Sequence, residues 1–139
     1  MLRKDYILRQ FEEFGKFLGI VFGLKNNNQW HELEELLNAS SQKYTSVELL
    51  ETEKIANEDL ISDLTEKKDL TEPQLKMLAD LLYEKGISYL KQEKDSESDV
   101  VLQKALLIYT YIKDNSLEID FSLDMHFKMR SIEQLLHDQ

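Results

Sequence analysis

The chain has 139 residues, no cysteine, one proline and four glycines, and a formal net charge of −10 at pH 7. That length suits one domain with its own core, 1–139. The lack of cysteine excludes disulfides and thiolate metal sites and makes the cytoplasm the default compartment. An acidic body repels phosphate backbones, so nucleic acid is not an expected partner.

The charge is unevenly placed. Residues 1–25 hold five Lys/Arg against three Asp/Glu, or +2, while the remainder holds twelve against twenty-four, or −12. MLRK resembles a basic leader, but Asp5, Arg9, Glu12, Glu13 and Lys16 interrupt any apolar core of one. The uncharged run Phe17 to Leu24 is far short of the ~20 apolar residues of a membrane span. Few breaks and a helical apolar rhythm throughout predict an all-α chain of about six to seven helices.

The first helix is expected over 3–23. Ile7, Phe11, Phe14, Leu18 and Val21 form a seam spaced four and three residues apart, with Asp5, Arg9, Glu12, Glu13 and Lys16 opposite. Beyond Lys16 the segment is apolar nearly all round, which calls for burial by the fold or by a partner chain. Gly15, Gly19 and Gly23 recur every fourth residue, although each glycine costs a helix roughly 1 kcal/mol relative to alanine. Gly23 reads as a left-handed helix stop. Gly15 and Gly19, with Phe11, Phe14, Leu18 and Phe22, read as the close-approach face of a homodimer. The alternative for the same amphipathic helix is a membrane-surface anchor, weakened by its mixed charges.

NNNQ at 26–29 reads as a turn with Asn27 or Asn28 as N-cap. A second helix follows with Trp30, Leu33 and Leu37 inward, broken near Ser40, Ser41 and Thr45. Residues 45–69 suggest two short, well-solvated helices, one with Val47 and Leu50 and one with Leu60, Ile61 and Leu64, parted near Asn57. TEPQ at 71–74 is the clearest start signal: Thr71 and Gln74 match a capping box, and Pro73 tolerates the first turn. The helix it opens carries two apolar stripes, Leu75, Leu78, Leu82, Gly86, Tyr89 and Ala79, Tyr83, Ile87, Leu90, so neighbours are expected on two sides. KDSESD at 94–99 reads as a polar loop. The next helix is expected over about 98–114 with Leu102, Ala105, Tyr109 and Ile112 on its main face. The last is expected over about 121–137 with Phe121, Met125, Met129, Ile132 and Leu136.

LYEKGISYL followed by KALLIYTYI resembles a tetratricopeptide repeat, with Gly86 and Tyr89 on helix A and Ala105 and Tyr109 on helix B. The resemblance covers about a quarter of the chain. It implies, for 72–137 and less regularly before it, a right-handed array of helical hairpins with the last helix as solvent-facing cap. It also implies a protein-binding, non-catalytic role. MLRKDYILRQFEEFGKFLG is similar to the opening of a family of small bacterial helical proteins, a likeness that brings no activity with it.

No Walker motif, dinucleotide glycine pattern, nucleophile elbow or HExxH is present, so no catalytic, cofactor or metal residue is expected. His31 with Glu34 or Glu35 in HELEE is half a metal site and reads as surface. His137 reads as a partner of its helix dipole and of Glu133. Tyr83 and Tyr111, with His126 and Arg130, are the candidate residues of a partner groove.

Overall fold

A computed structural model describes residues 2–116 and 123–137, and among them the chain forms seven α-helices, one π-helical turn and no strand. These are α1 (Leu2–Asn26), α2 (Trp30–Thr45), α3 (Leu49–Glu53), α4 (Asn57–Ser62), α5 (Glu72–Lys91), α6 (Asp95–Asn115) and α7 (Leu123–His137); the π turn, Asp63–Lys67, continues α4. The all-α expectation holds. Phe121, expected in the last helix, lies outside the described residues, as does the segment from 117.

Helix α5 is central. It packs along α6 on one side and α2 on another, with α1 lying across α2 and α5, and α7 covering α6. Thr71 starts it as the sequence indicated: the Gln74 N–H donates to Thr71 Oγ1 at 3.3 Å, and the Thr71 N–H donates to Gln74 Oε1 at 2.9 Å. Its burial exceeds the two expected stripes. Met77 and Leu81 are buried along with Leu75, Leu78 and Leu82, while Tyr83, Ile87 and Leu90 are only half-buried. Each fully buried leucine contributes about 1.5–3 kcal/mol relative to exposure, so α5 carries much of the core.

The α5–α6 hairpin depends on Gly86. A Cβ placed there would stand 2.4 Å from Leu102 Cδ2 and 2.6 Å from its Cγ, so only a glycine lets α6 come this close. The Ser98 hydroxyl then donates to the Gly86 carbonyl at 2.9 Å, tying the two helices across the crossing. The connection is short. Helix α6 begins at Asp95, not near 98, so the polar stretch expected as a loop is the first turn of the helix. Its acids, Asp95 and Glu97, suit that turn because they face the positive end of the helix dipole.

Two helix ends use the same device without glycine. Asn28 (φ 56°) and Glu93 (φ 61°) take the left-handed conformation after α1 and α5. The Gln29 N–H donates to the Leu24 carbonyl and the Asn28 N–H to that of Lys25, while Lys94 and Glu93 do likewise to Tyr89 and Leu90. Both are Schellman motifs. Gly23 is therefore not a helix stop: α1 runs past it to Asn26, and no glycine of the chain has positive φ. Nor do Asn27 and Asn28 cap α2; its N-cap position is Gln29, which makes no side-chain cap bond.

Helix α2 ends at Thr45, inside its expected break, although Ser41 is still helical. Both residues are buried, each donates its hydroxyl hydrogen to the Val47 carbonyl, at 2.7 and 3.1 Å, and Ser46 turns the chain with φ 69°. In the following segment Leu49 is buried and Leu50 exposed, one position from the expected register.

Candidate functional site

The charged groups that the fold buries lie on α5 and, at Lys104, on α6. Asp80 is 1% exposed. Its Oδ1 accepts from the Tyr109 hydroxyl of α6 and from Lys128 Nζ of α7 at 3.2 Å, and its Oδ2 accepts from Lys76 Nζ at 2.9 Å. Both lysines continue to Asp124 Oδ2, at 3.4 Å from Lys76 and 3.3 Å from Lys128. Two carboxylates, two ammonium groups and one phenol thus form a charge-balanced cluster that joins α5, α6 and α7.

The titration of its members follows from that arrangement. Burial first, then the Asp80 carboxylate, hold the Tyr109 phenol well above its ordinary pKa. Burial pushes the Lys128 ammonium down, but Asp80 and Asp124 together outweigh it and its pKa is raised. Burial likewise opposes ionisation of Asp124, yet Lys128 and Lys76 outweigh it and hold its carboxyl below the usual range.

A second set of buried polar contacts binds the other side of α5. Lys85 has no exposed surface; its ammonium meets Glu53 Oε2 of α3 at 2.5 Å and Asn38 Oδ1 of α2 at 2.9 Å, 5.6 Å from the centre of the Tyr89 ring. Burial first, then Glu53, raise the Tyr89 phenol. Lys104 of α6 reaches the Ile55 carbonyl and, at 2.8 Å, Asn57 Oδ1, and burial lowers its pKa. Lys25 closes α1 onto α5 through Glu84 at 2.8 Å. Sequence reasoning missed these groups. A signal for Lys85 existed: it falls on the row Leu78, Leu82, Lys85, Tyr89, a lysine in an apolar stripe.

The four residues expected in a partner groove occupy different environments. Tyr83 is half-buried between α5 and α7, where its hydroxyl pairs with Ser131 Oγ at 3.3 Å and Lys128 Nζ stands 5.6 Å from its ring centre. Tyr111 lines a recess of about 290 Å³ with Thr65, Leu70, Glu72 and Leu75. His126 and Arg130 are exposed on α7, on a face they share with Leu123 and Phe127, which are 70% and 65% exposed. Arg130 also borders a shallow recess with Glu133, Gln134 and His137. Another recess, about 410 Å³, lies elsewhere, between the end of α2 and the π turn, and Asp63 Oδ2 is buried at its wall, 3.9 Å from Lys68 Nζ.

Of the residues assigned to a dimer face, Phe14 is corrected. It is 2% exposed in the chain's own core, stacked on Phe17 at 5.7 Å between ring centres and edge-on to Tyr44 at 5.3 Å. The inward seam of α1 is Phe14, Phe17 and Val21, so Phe17 takes the place expected for Leu18, which is half-buried. Phe11, Gly15, Gly19 and Phe22 remain accessible.

Among the described residues no group of three or more His, Asp or Glu side chains is arranged to hold a metal ion, and no helix is long and apolar enough to cross a membrane. His31 Nε2 meets Glu35 Oε1 at 2.6 Å with both side chains mostly in solvent. Comparison with protein-family models, curated proteins and solved structures returned no match to the chain. Fold and site together define an all-helical array pinned internally by buried ion pairs.

Proposed function

We propose that the protein is a non-catalytic, tetratricopeptide-like binding module that holds a protein partner in the cytoplasm through surface contacts. The observation that carries this reading is the outer face of α7, where Leu123 and Phe127 stand one turn apart with most of their surface in water, beside His126 and Arg130. A helix whose outer face met only water would turn polar residues outward. This one offers two apolar anchors beside a guanidinium and an imidazole, the pattern that receives a segment carrying apolar side chains and a carboxylate. The tetratricopeptide character is supported by the Gly86 crossing, the burial of Ala105 and Tyr109, and the short turn before Asp95.

Cross-linking capture in the native cell tests the reading. The intact chain and a Phe127→Glu, Arg130→Glu variant are compared, and a partner held by the intact chain and lost by the variant is the expected result. The same capture pattern with both chains overturns the assignment of this face.

A further inference from the structure

The glycines of α1 have no use inside this chain. A Cβ added at Gly15, Gly19 or Gly23 would meet nothing within 4 Å, in contrast to Gly86. One of them, Gly15, lies on a second apolar row, beside the buried one: Leu8, Phe11, Gly15, Leu18 and Phe22 recur at spacings of three and four, with Gly19 next to them. Leu8, Phe11 and Phe22 are exposed, Phe22 to 62%.

We propose that this row is the two-fold interface of a homodimer in which two α1 helices pack antiparallel about Gly15. Most of the row matches itself under that reversal. Turning the helix end for end about Gly15 sets Leu8 opposite Phe22, Phe11 opposite Gly19, Gly15 opposite itself and the half-buried Leu18 level with Glu12, so each phenylalanine meets a glycine or a leucine and the backbones close at the centre. An isologous contact requires such a match of a surface with itself. The flanking charges select the same direction. Glu12 and Lys16, both exposed on the same flank of the row, come within about 3 Å of one another along the axis in the antiparallel pair, acid to base across the interface, whereas a parallel two-fold pair would hold these flanks on opposite edges of the contact, where the two charges do not meet. The contact is one helix wide and about 21 Å long. That is a small contact beside the roughly 1,200–2,000 Å² of stable interfaces, so the dimer is expected to be weak and concentration-dependent.

Sedimentation velocity of the full chain over a dilution series should show a monomer–dimer equilibrium. Gly15→Leu and Phe22→Glu should each shift it to monomer with the circular dichroism unchanged; should Gly15→Leu disturb folding, the surface variant Phe22→Glu decides alone. Glu12→Lys should weaken the dimer about fivefold to tenfold, and adding Lys16→Glu should restore it. A chain that stays monomeric at high micromolar concentration overturns the proposal, as does a dimer indifferent to Phe22→Glu. A monomer that co-sediments with phosphatidylglycerol vesicles, and ceases to with Phe22→Glu, overturns it in favour of a lipid-facing surface.

Discussion

The Tyr109 hydroxyl donates its hydrogen bond to Asp80 Oδ1 at a depth where the tyrosine has no exposed surface and the aspartate only 1%. This bond crosses from α6 to α5 and is continued to α7 by Lys128 on the same oxygen. A buried carboxylate is tolerated when its oxygens are fully occupied by charged or polar donors, and Asp80 has three. Removing the phenol oxygen leaves it two. Tyr109→Phe should therefore destabilise the protein by about 1–3 kcal/mol, read as a lower urea midpoint with unchanged helicity. Asp80→Asn should cost more, because Asp124 alone would then face both ammonium groups. A neutral Tyr109→Phe would show that the bond adds nothing to stability.

Alkali should unfold the protein through the same cluster. The folded-state pKa values of Tyr109 and Lys128 are raised, so their stabilisation is full below the unfolded values, about pH 10 for both, and is lost as pH rises toward the folded ones. Asp124 acts at the other end: its folded pKa is lowered, so its contribution is present above about pH 4 and disappears as acid protonates it. Phenolate absorbance followed with circular dichroism should show Tyr109 ionising together with helix loss. Ionisation of every tyrosine before any helix is lost contradicts this.

Gly86 should tolerate no side chain while Leu102 stays. Gly86→Ala should cost about 1–3 kcal/mol through overpacking. In combination with Leu102→Ala the loss should be less than the sum of the two single losses, since the truncated leucine vacates the space the new methyl needs. A double-mutant cycle by chemical denaturation gives the coupling. Strict additivity would place the strain elsewhere.

At Gly23 the opposite outcome is expected. The residue is helical and an added Cβ meets nothing, so Gly23→Ala should raise stability by up to about 1 kcal/mol and increase the melting temperature. A fall would mean that α1 needs the glycine for a contact outside its own chain.

The Lys85–Glu53 pair should respond asymmetrically. Lys85 is wholly buried, whereas Glu53 keeps 15% of its side chain exposed. Glu53→Ala strands a buried ammonium and should cost about 3–5 kcal/mol, while Lys85→Met removes the charge with its burial penalty and should be near neutral. Equal losses in thermal denaturation would show that packing, not charge, governs the site.

The sequence by itself determined what local rules decide. Apolar residues at spacings of three and four made every long segment a helix. The Thr71–Gln74 box marked the start of α5, and the row Leu102, Ala105, Tyr109 and Ile112 lies buried as its spacing requires. Several helix ends were legible too, at Thr45, Asn115 and His137 as well as at the Thr71 cap. Where a backbone hydrogen-bond pattern ends the helix at Asn28 or Glu93, residue type carried little signal, and Gly23 misled because a glycine permits a left-handed turn without requiring one. Which face of α1 turns inward was decided by Tyr44, a residue of α2 that Phe14 and Phe17 both reach; periodicity places a stripe but not the neighbour that selects its centre. The polar core was the least legible part. Nothing in the local pattern singled out Asp80, Lys104 or Lys128, and Lys85 stood out only by its place in an apolar stripe. Only the tertiary structure brings each to a partner between 32 and 49 residues away, and a charge can be buried only where such a partner stands within hydrogen-bond reach.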